Sequence, residues 1–139
     1  MIVIDTNVLS ELMRPTPSEL VRNWVQRQYA EQLFTTTITQ AEMLFGIALL
    51  PEGRRRSALA AAARQMFAED FAGRVLAFDA AAAEAFAPIA AARRQQGRPM
   101  GAFDAQIAAI AASRGAALAS RNVSDFLDCG LTVINPWDA

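Results

Sequence analysis

The chain has no histidine and no lysine; all thirteen positive charges are arginine, and Cys129 is the one cysteine. Without imidazole there is no Ser-His-Asp triad, no Cys-His dyad and no histidine metal ligand. Without lysine, Schiff-base chemistry and the phosphate-binding P-loop are excluded. A single cysteine excludes an internal disulfide and a multi-cysteine zinc site. With no histidine to activate it, Cys129 reads as a small buried filler. Long apolar runs are also missing: a charged or amide residue interrupts each one before membrane-spanning length. The N-terminus lacks the basic start and apolar stretch of a signal peptide, so a cytoplasmic protein is expected. Net charge is only −1. Carboxylates, hydroxyls, arginine and a bound metal are the chemistry left.

What is present suits one domain over residues 1–139 with a single core. The chain is 139 residues long and 53% apolar, enough to fold and too much for a disordered segment. Much of that fraction is alanine, which reads first as base bias in the coding sequence and favours tightly packed helices. Ile2-Val3-Ile4 predicts a short strand buried on both faces, and Val8, Leu9, Leu12 and Met13 then recur at helical spacing. Pro15 and Pro17 break the chain before a helix from Ser18 or Glu19 to about Gln28, with Leu20, Val21, Trp24 and Val25 inward. Further strands are predicted at Leu33–Thr36, Val75–Phe78, Ala117–Ala119 and Leu131–Ile134. Helices are predicted over Thr39–Leu50, from Arg54 to about Phe71, after Asp79 with a kink or split at Pro88, over Met100 or Gly101 to Arg114, and at Asn122–Leu127. Phe103, Ile107 and Ile110 are read as the inward face of the fourth of these. Strands alternating with helices predict an α/β fold, an about five-stranded parallel sheet flanked by helices.

Each acid has a structural explanation. Asp5 can cap the helix after the first strand. Thr39 and Glu42 have the spacing of a capping box. Asp104 sits in a first helical turn, where the dipole favours it, and Asp125 follows Asn122 at N-cap spacing. Their joint placement says more. In a right-handed parallel fold, strand carboxyl ends and the amino ends of following helices share one edge of the sheet. Four acids there would repel one another unless a cation neutralised them. Hard oxygen donors without nitrogen or sulfur suit Mg²⁺ or Mn²⁺, and phosphodiester hydrolysis is the natural reaction class.

Ile4-Asp5-Thr6-Asn7-Val8-Leu9-Ser10-Glu11-Leu12, Thr39-Gln40-Ala41-Glu42-Met43-Leu44-Phe45-Gly46-Ile47, Phe103-Asp104-Ala105-Gln106-Ile107-Ala108 and Ser120-Arg121-Asn122-Val123-Ser124-Asp125-Phe126 form an ordered set. With the closing Val133-Ile134-Asn135-Pro136-Trp137, the chain resembles a PIN-domain protein over nearly its full length. Within that family it is similar to the VapC-type toxins, the FitB-like branch in particular.

The resemblance implies a Mg²⁺-dependent endoribonuclease (Mn²⁺ being the other candidate ion) that acts as the toxin of a toxin–antitoxin pair. It carries Asp5, Glu42 and Asp104 over as catalytic, metal-binding residues. The family's fourth acidic position falls where Asn122 stands, with Asp125 the alternative. Asp5 and Asp104 are expected to ligate the metal, and Glu42 and Asp125 to hold its water or a second ion. Thr6, Ser120 and Asn122 are expected to support the carboxylates; Ser120 stands where the family usually has threonine. Kinship also implies a homodimer and a cognate VapB/FitA-like antitoxin through which operator DNA is bound, with RNA as substrate and no membrane.

RNA binding at this net charge requires local arginine clusters. Arg54–Arg56, Arg93-Arg94, Arg98 and Arg121 are the candidates, with Arg121 the best placed for a phosphate. A receiver-type phosphoacceptor would need the missing lysine, and a haloacid-dehalogenase-type phosphatase an acid at Asn7. The rival of another class is a catalytically silent PIN-fold module that only binds an antitoxin or RNA.

Overall fold

β1 (Ile2–Ile4) sends successive side chains to opposite faces of the sheet, and both faces are covered. Val3 packs into a cluster with Ile107, Ile110, Leu118 and Phe126. Ile4 joins Val8, Leu9, Val21, Trp24 and Phe67 on the other side. The period-2 alternation of a strand splits the two neighbours in this way. The computed structural model describes residues 1–138.

β2 (Leu33–Thr36), β3 (Val75–Leu76), β4 (Ala117–Ala119) and β5 (Val133–Ile134) complete an all-parallel sheet in the order β3-β2-β1-β4-β5. The expected five-stranded parallel sheet is therefore present. Chain order runs outward from β1 to β3 on one side and through β4 to β5 on the other. The boundary between β1 and β4 is a topological switch point, where open α/β sheets leave a crevice at the strands' carboxyl ends.

Six α-helices flank the sheet: α1 (Thr6–Leu12), α2 (Glu19–Gln26), α3 (Thr37–Ala48), α4 (Arg54–Gln65), α5 (Ala80–Gln95) and α6 (Ala102–Ser113). Among the described residues no helix is long and apolar enough to cross a membrane. Several boundaries differ from the expected ones. α3 starts two residues early because Thr36, not Thr39, caps it, its hydroxyl accepting from the Thr39 N–H at 3.0 Å. The long helix after Arg54 becomes α4 followed by one π-helical turn over Met66–Asp70. α5 passes through Pro88 unbroken. Pro88 is exposed, so the carbonyl it leaves unbonded one turn back can be met by water. β3 and β5 are each two residues long, shorter than expected. Residues 122–127 form only a short 3₁₀ turn, Val123–Phe126.

Two residues expected inward face water, Leu20 and Phe103. Leu20 falls outside the stripe of Val21, Trp24 and Val25 that an eight-residue helix can bury. Phe103 sits in the first turn of α6, ahead of the point where Ile107 and Ile110 meet the sheet. Trp24, Phe67 and Cys129 are buried as core.

Candidate active site

Asp5 is the first residue past β1 and Ser120 the first past β4, on either side of the switch point. The parallel ladder continues through them: the Asp5 N–H donates to the Ala119 carbonyl and the Ser120 N–H to the Ile134 carbonyl, each at 2.9 Å. Asp5 caps α1. Its Oδ1 accepts from the Thr6 N–H at 2.8 Å and its Oδ2 from the Ser120 hydroxyl at 2.7 Å. The capping explanation for Asp5 therefore holds, and it occupies only one of the two carboxylate oxygens.

A cleft of about 540 Å³ opens at this edge and is lined by Asp5, Thr6, Asn7, Glu42, Asp104, Arg121, Asn122 and Trp137, with Ser10, Glu11 and Arg14 at one side. Three of the acids singled out from sequence thus come together from three separate segments. Glu42 stands well inside α3 because that helix starts at Thr37, so it is not a capping-box residue. Thr6 donates its hydroxyl to Glu42 Oε1 at 2.8 Å, and Thr39 Oγ1 lies 3.1 Å from the same hydroxyl. Asp104 is half-buried in the first turn of α6, and no donor among the described residues reaches its carboxylate.

All three carboxyls are pushed up from their ordinary range, burial being the largest cause in each. At Asp5 the bonds from Ser120 and Thr6 pull the other way, while the charges of Glu42 and Asp125 add to the rise. At Glu42 the Thr6 bond opposes burial and the Asp104 charge reinforces it. Asp104, with no bond to offset burial and with Asp5 and Asp125 nearby, is raised to about 6. These acids feel one another across one space.

The fourth position is divided between two residues. Asn122 lines the cleft, and its N–H donates to Ser120 Oγ at 3.1 Å. Asp125 is exposed and does not line it, although its charge acts on Asp5 and Asp104.

Although Asp5, Glu42 and Asp104 line one cleft, among the described residues no three acids stand close enough to form a ready-made ligand set. The donor chemistry nevertheless fits a hydrated Mg²⁺-type ion. Such an ion dehydrates reluctantly and is usually held through one or two carboxylates, with water completing its shell.

Sequence reasoning missed two residues here. Asn7 joins α1 to the loop after β4, its Nδ2 donating to Ser120 Oγ at 3.4 Å and its Oδ1 accepting from the Arg121 N–H at 3.2 Å. Its place in Asp5-Thr6-Asn7 was the available signal. Glu11 is a buried acid at the cleft side, 3.3 Å from Arg14 and accepting from the Ser18 N–H at 3.1 Å. It ties the proline-broken link between α1 and α2.

The arginine expectations need one correction. Arg93 is 5% exposed and donates to the carbonyls of Arg98, Asp125 and Leu127, so it cannot contact RNA. Arg98 is paired with Asp128 at 3.3 Å. Arg54, Arg55 and Arg94 are exposed, and Arg121 reaches the cleft itself.

The family model described as "PIN domain" matches residues 2–127. The chain is 40% identical over 138 residues to "VapC ribonuclease Y4jK" of Sinorhizobium fredii, covering 99% of each. It is 36% identical over 137 residues to "Toxin FitB" of Neisseria gonorrhoeae, again covering 99% of each. A solved structure described as FitAB bound to an IR36 DNA fragment superposes with a TM-score of 0.91 at 37% identity, over 99% of this chain and 96% of that one.

Proposed function

The chain belongs to the PIN domain family, and from that premise we propose that it is, as one domain, a Mg²⁺-dependent endoribonuclease acting as the toxin of a toxin–antitoxin pair. The relatives named as a ribonuclease and as a toxin support this reading. The observation that carries it is the meeting of Asp5, Glu42 and Asp104 in one cleft, each raising its carboxyl pKa there. Mg²⁺ is preferred, with Mn²⁺ the close substitute, because every donor is a hard oxygen.

Asp5 and Asp104 would hold the ion, and Glu42 would hold water beside it, with Asp125 contributing charge from the rim and Asn122 an amide oxygen. When bound, the ion supplies Lewis acidity toward a phosphate oxygen and acidifies a water. The chain's own residues prepare the rest. Ser120 and the Thr6 N–H counter the burial that raises the Asp5 carboxyl and fix its rotamer. Thr6 holds Glu42 by Oε1, leaving Oε2 to accept a hydrogen bond from the attacking water. Arg121 faces the entering phosphodiester. The cleavage is hydrolysis in line at phosphorus, with a 3′-hydroxyl leaving.

An antitoxin partner is supported by a second, more apolar cleft of about 530 Å³ that runs on from the acidic one. It shares Thr6, Ser10, Arg14 and Glu42, and the rest of its lining is mostly apolar, with Met13, Met43, Ile47, Leu50 and Leu59 among it and Arg55 the one further charge. A segment seated there reaches the catalytic acids directly. The homodimer, and operator DNA bound only through the antitoxin, belong to the same proposal.

The test is Asp5→Asn in a metal-replete cleavage assay on total RNA. Cleavage is expected to disappear while the circular dichroism spectrum and the cooperativity of melting stay unchanged. Full retained activity would overturn the assignment.

A further inference from the structure

Two arginines line the acidic cleft, and they differ in what holds them. Arg14 is 3.3 Å from Glu11 Oε1. Arg121 shares the cleft with Asp5, Glu42 and Asp104, yet among the described residues its guanidinium makes no ion pair and no hydrogen bond. Its Cζ lies instead 4.8 Å from the ring centroid of Trp137. Its backbone is fixed separately, through the N–H bond to Asn7 Oδ1.

The electrostatics of the cleft favour a different resting place. A mobile cation beside three carboxylates is drawn towards them, but an exposed ion pair nets little once desolvation, screening and side-chain ordering are counted. A cation–π contact at an exposed site is of the same order. It competes because the indole is already anchored. The Trp137 ring is half-buried against the cluster that holds Val21 and Trp24, and the residue's backbone N–H donates to Asn135 Oδ1 at 2.9 Å. The flat guanidinium therefore meets a fixed flat seat and loses little further freedom on taking it.

We propose that Trp137 is a positioning residue: it holds Arg121 against its ring and off the carboxylates, so that the guanidinium donors face a backbone phosphate of RNA entering the cleft. The inference rests on the ribonuclease reading of this site. A phosphate is the ligand that fits, since the guanidinium fork matches phosphate oxygens two at a time and stacking leaves its N–H edge free. With no lysine in the chain and Arg14 held by Glu11, Arg121 is the cleft's available phosphate donor. Keeping it off the acids also keeps them open to a cation.

The experiment compares the full-length protein with Trp137→Leu, Trp137→Phe, Arg121→Gln and the Trp137→Leu/Arg121→Gln double variant. Leucine keeps apolar packing without a π face, whereas phenylalanine keeps the ring. Binding of a short fluorescein-labelled single-stranded RNA is followed by anisotropy across a salt series, with Ca²⁺ in place of Mg²⁺. Mn²⁺ binding is followed separately by electron paramagnetic resonance. Arg121→Gln is expected to weaken RNA binding about tenfold and to flatten the log Kd–log salt slope by about 0.7, one phosphate contact on a single strand. Trp137→Leu reproduces that loss, Trp137→Phe stays within about threefold of the parent, and the double variant is no weaker than Arg121→Gln. Trp137→Leu also weakens Mn²⁺ binding several-fold, and adding Arg121→Gln restores it. An unchanged salt slope in Arg121→Gln, equal RNA affinity of the Leu and Phe variants, or additive losses would overturn the proposal while leaving the nuclease reading intact. Absence of any RNA cleavage by the parent protein would overturn both.

Discussion

The Ser120 hydroxyl donates to Asp5 Oδ2 at 2.7 Å, joining the residues that follow two adjacent parallel strands. Ser120 Oγ itself accepts from the Asn122 N–H at 3.1 Å and from Asn7 Nδ2 at 3.4 Å. One buried hydroxyl thus orients a carboxylate, an α1 amide and the loop that carries the fourth position.

Ser120→Ala removes a bond that counters burial at Asp5, so the Asp5 carboxyl rises further. Protonation then competes with metal at a higher pH. The acid limb of kcat/KM for RNA cleavage should shift toward neutrality, with a larger loss at pH 6 than at pH 8. The freed Asn122 N–H costs about 1 kcal/mol of stability. Ser120→Thr should keep the parent's pH profile. An acid limb that stays in place in the alanine variant would show that Ser120 does not support Asp5.

Asp104→Asn should kill activity and yet stabilise the metal-free protein. The folded carboxyl titrates near 6 against an ordinary 3.8, so the folded state binds the proton more tightly. Its contribution is fully present below about 3.8 and lost as pH rises through about 6. At pH 7 the charged form is therefore a net cost. Because the side chain is half-exposed, solvent screening limits that cost to about 1 kcal/mol, or about 3 °C in Tm for a domain of this size. Melting curves from pH 4 to pH 7.5 without metal should show the variant's lead growing with pH and levelling off above about 6. Millimolar Mg²⁺ should raise the parent's Tm at pH 7.5 and leave the variant nearly unmoved. A destabilised variant at pH 7.5 would contradict this account.

The sheet was legible because its strands are apolar and buried on both faces: Leu33–Thr36 and Ala117–Ala119 appear with their expected bounds. The ends that shifted depend on contacts a linear reading cannot see. Thr36, Thr37 and Thr39 are interchangeable as caps until the hydroxyl of Thr36 is seen to accept from Thr39. Glu42 was obscured by that same ambiguity. Asp5 and Asp104 were legible from strand-end and helix-start positions, whereas Asn7 had only its place in Asp5-Thr6-Asn7 to mark it and Glu11 looks like ordinary helix surface. Arg93 misled for a physical reason. An Arg-Arg pair at a helix end suits a solvated face, and only the fold brings three carbonyls from two other segments to one of the two.

Arg93 supplies the last prediction. It is a buried cation with no carboxylate partner among the described residues: Nε donates to Arg98 O at 2.9 Å, and Nη1 to Asp125 O at 2.8 Å and Leu127 O at 2.9 Å. It therefore stitches the end of α5 to the segment leading into α6 and to the loop bearing Asn122 and Asp125. Arg93→Met removes the guanidinium donor from all three carbonyls, leaving Leu127 O only the weak Cys129 thiol, and should cost about 3 kcal/mol, or about 10 °C in Tm. Arg93→Lys should recover less than half, since one ammonium cannot reproduce the planar fork. Cys129 gives a local reporter that separates loop opening from global unfolding. Its thiol is 4% exposed, with Arg93 Nη1 3.8 Å from Sγ, and burial pushes its pKa up. The parent should resist alkylation at pH 7.5. In Arg93→Met, well below its Tm, Cys129 should react many-fold faster while amide exchange in β1 stays slow. Equal thiol reactivity in parent and variant would mean that the 122–129 loop is held by something other than Arg93.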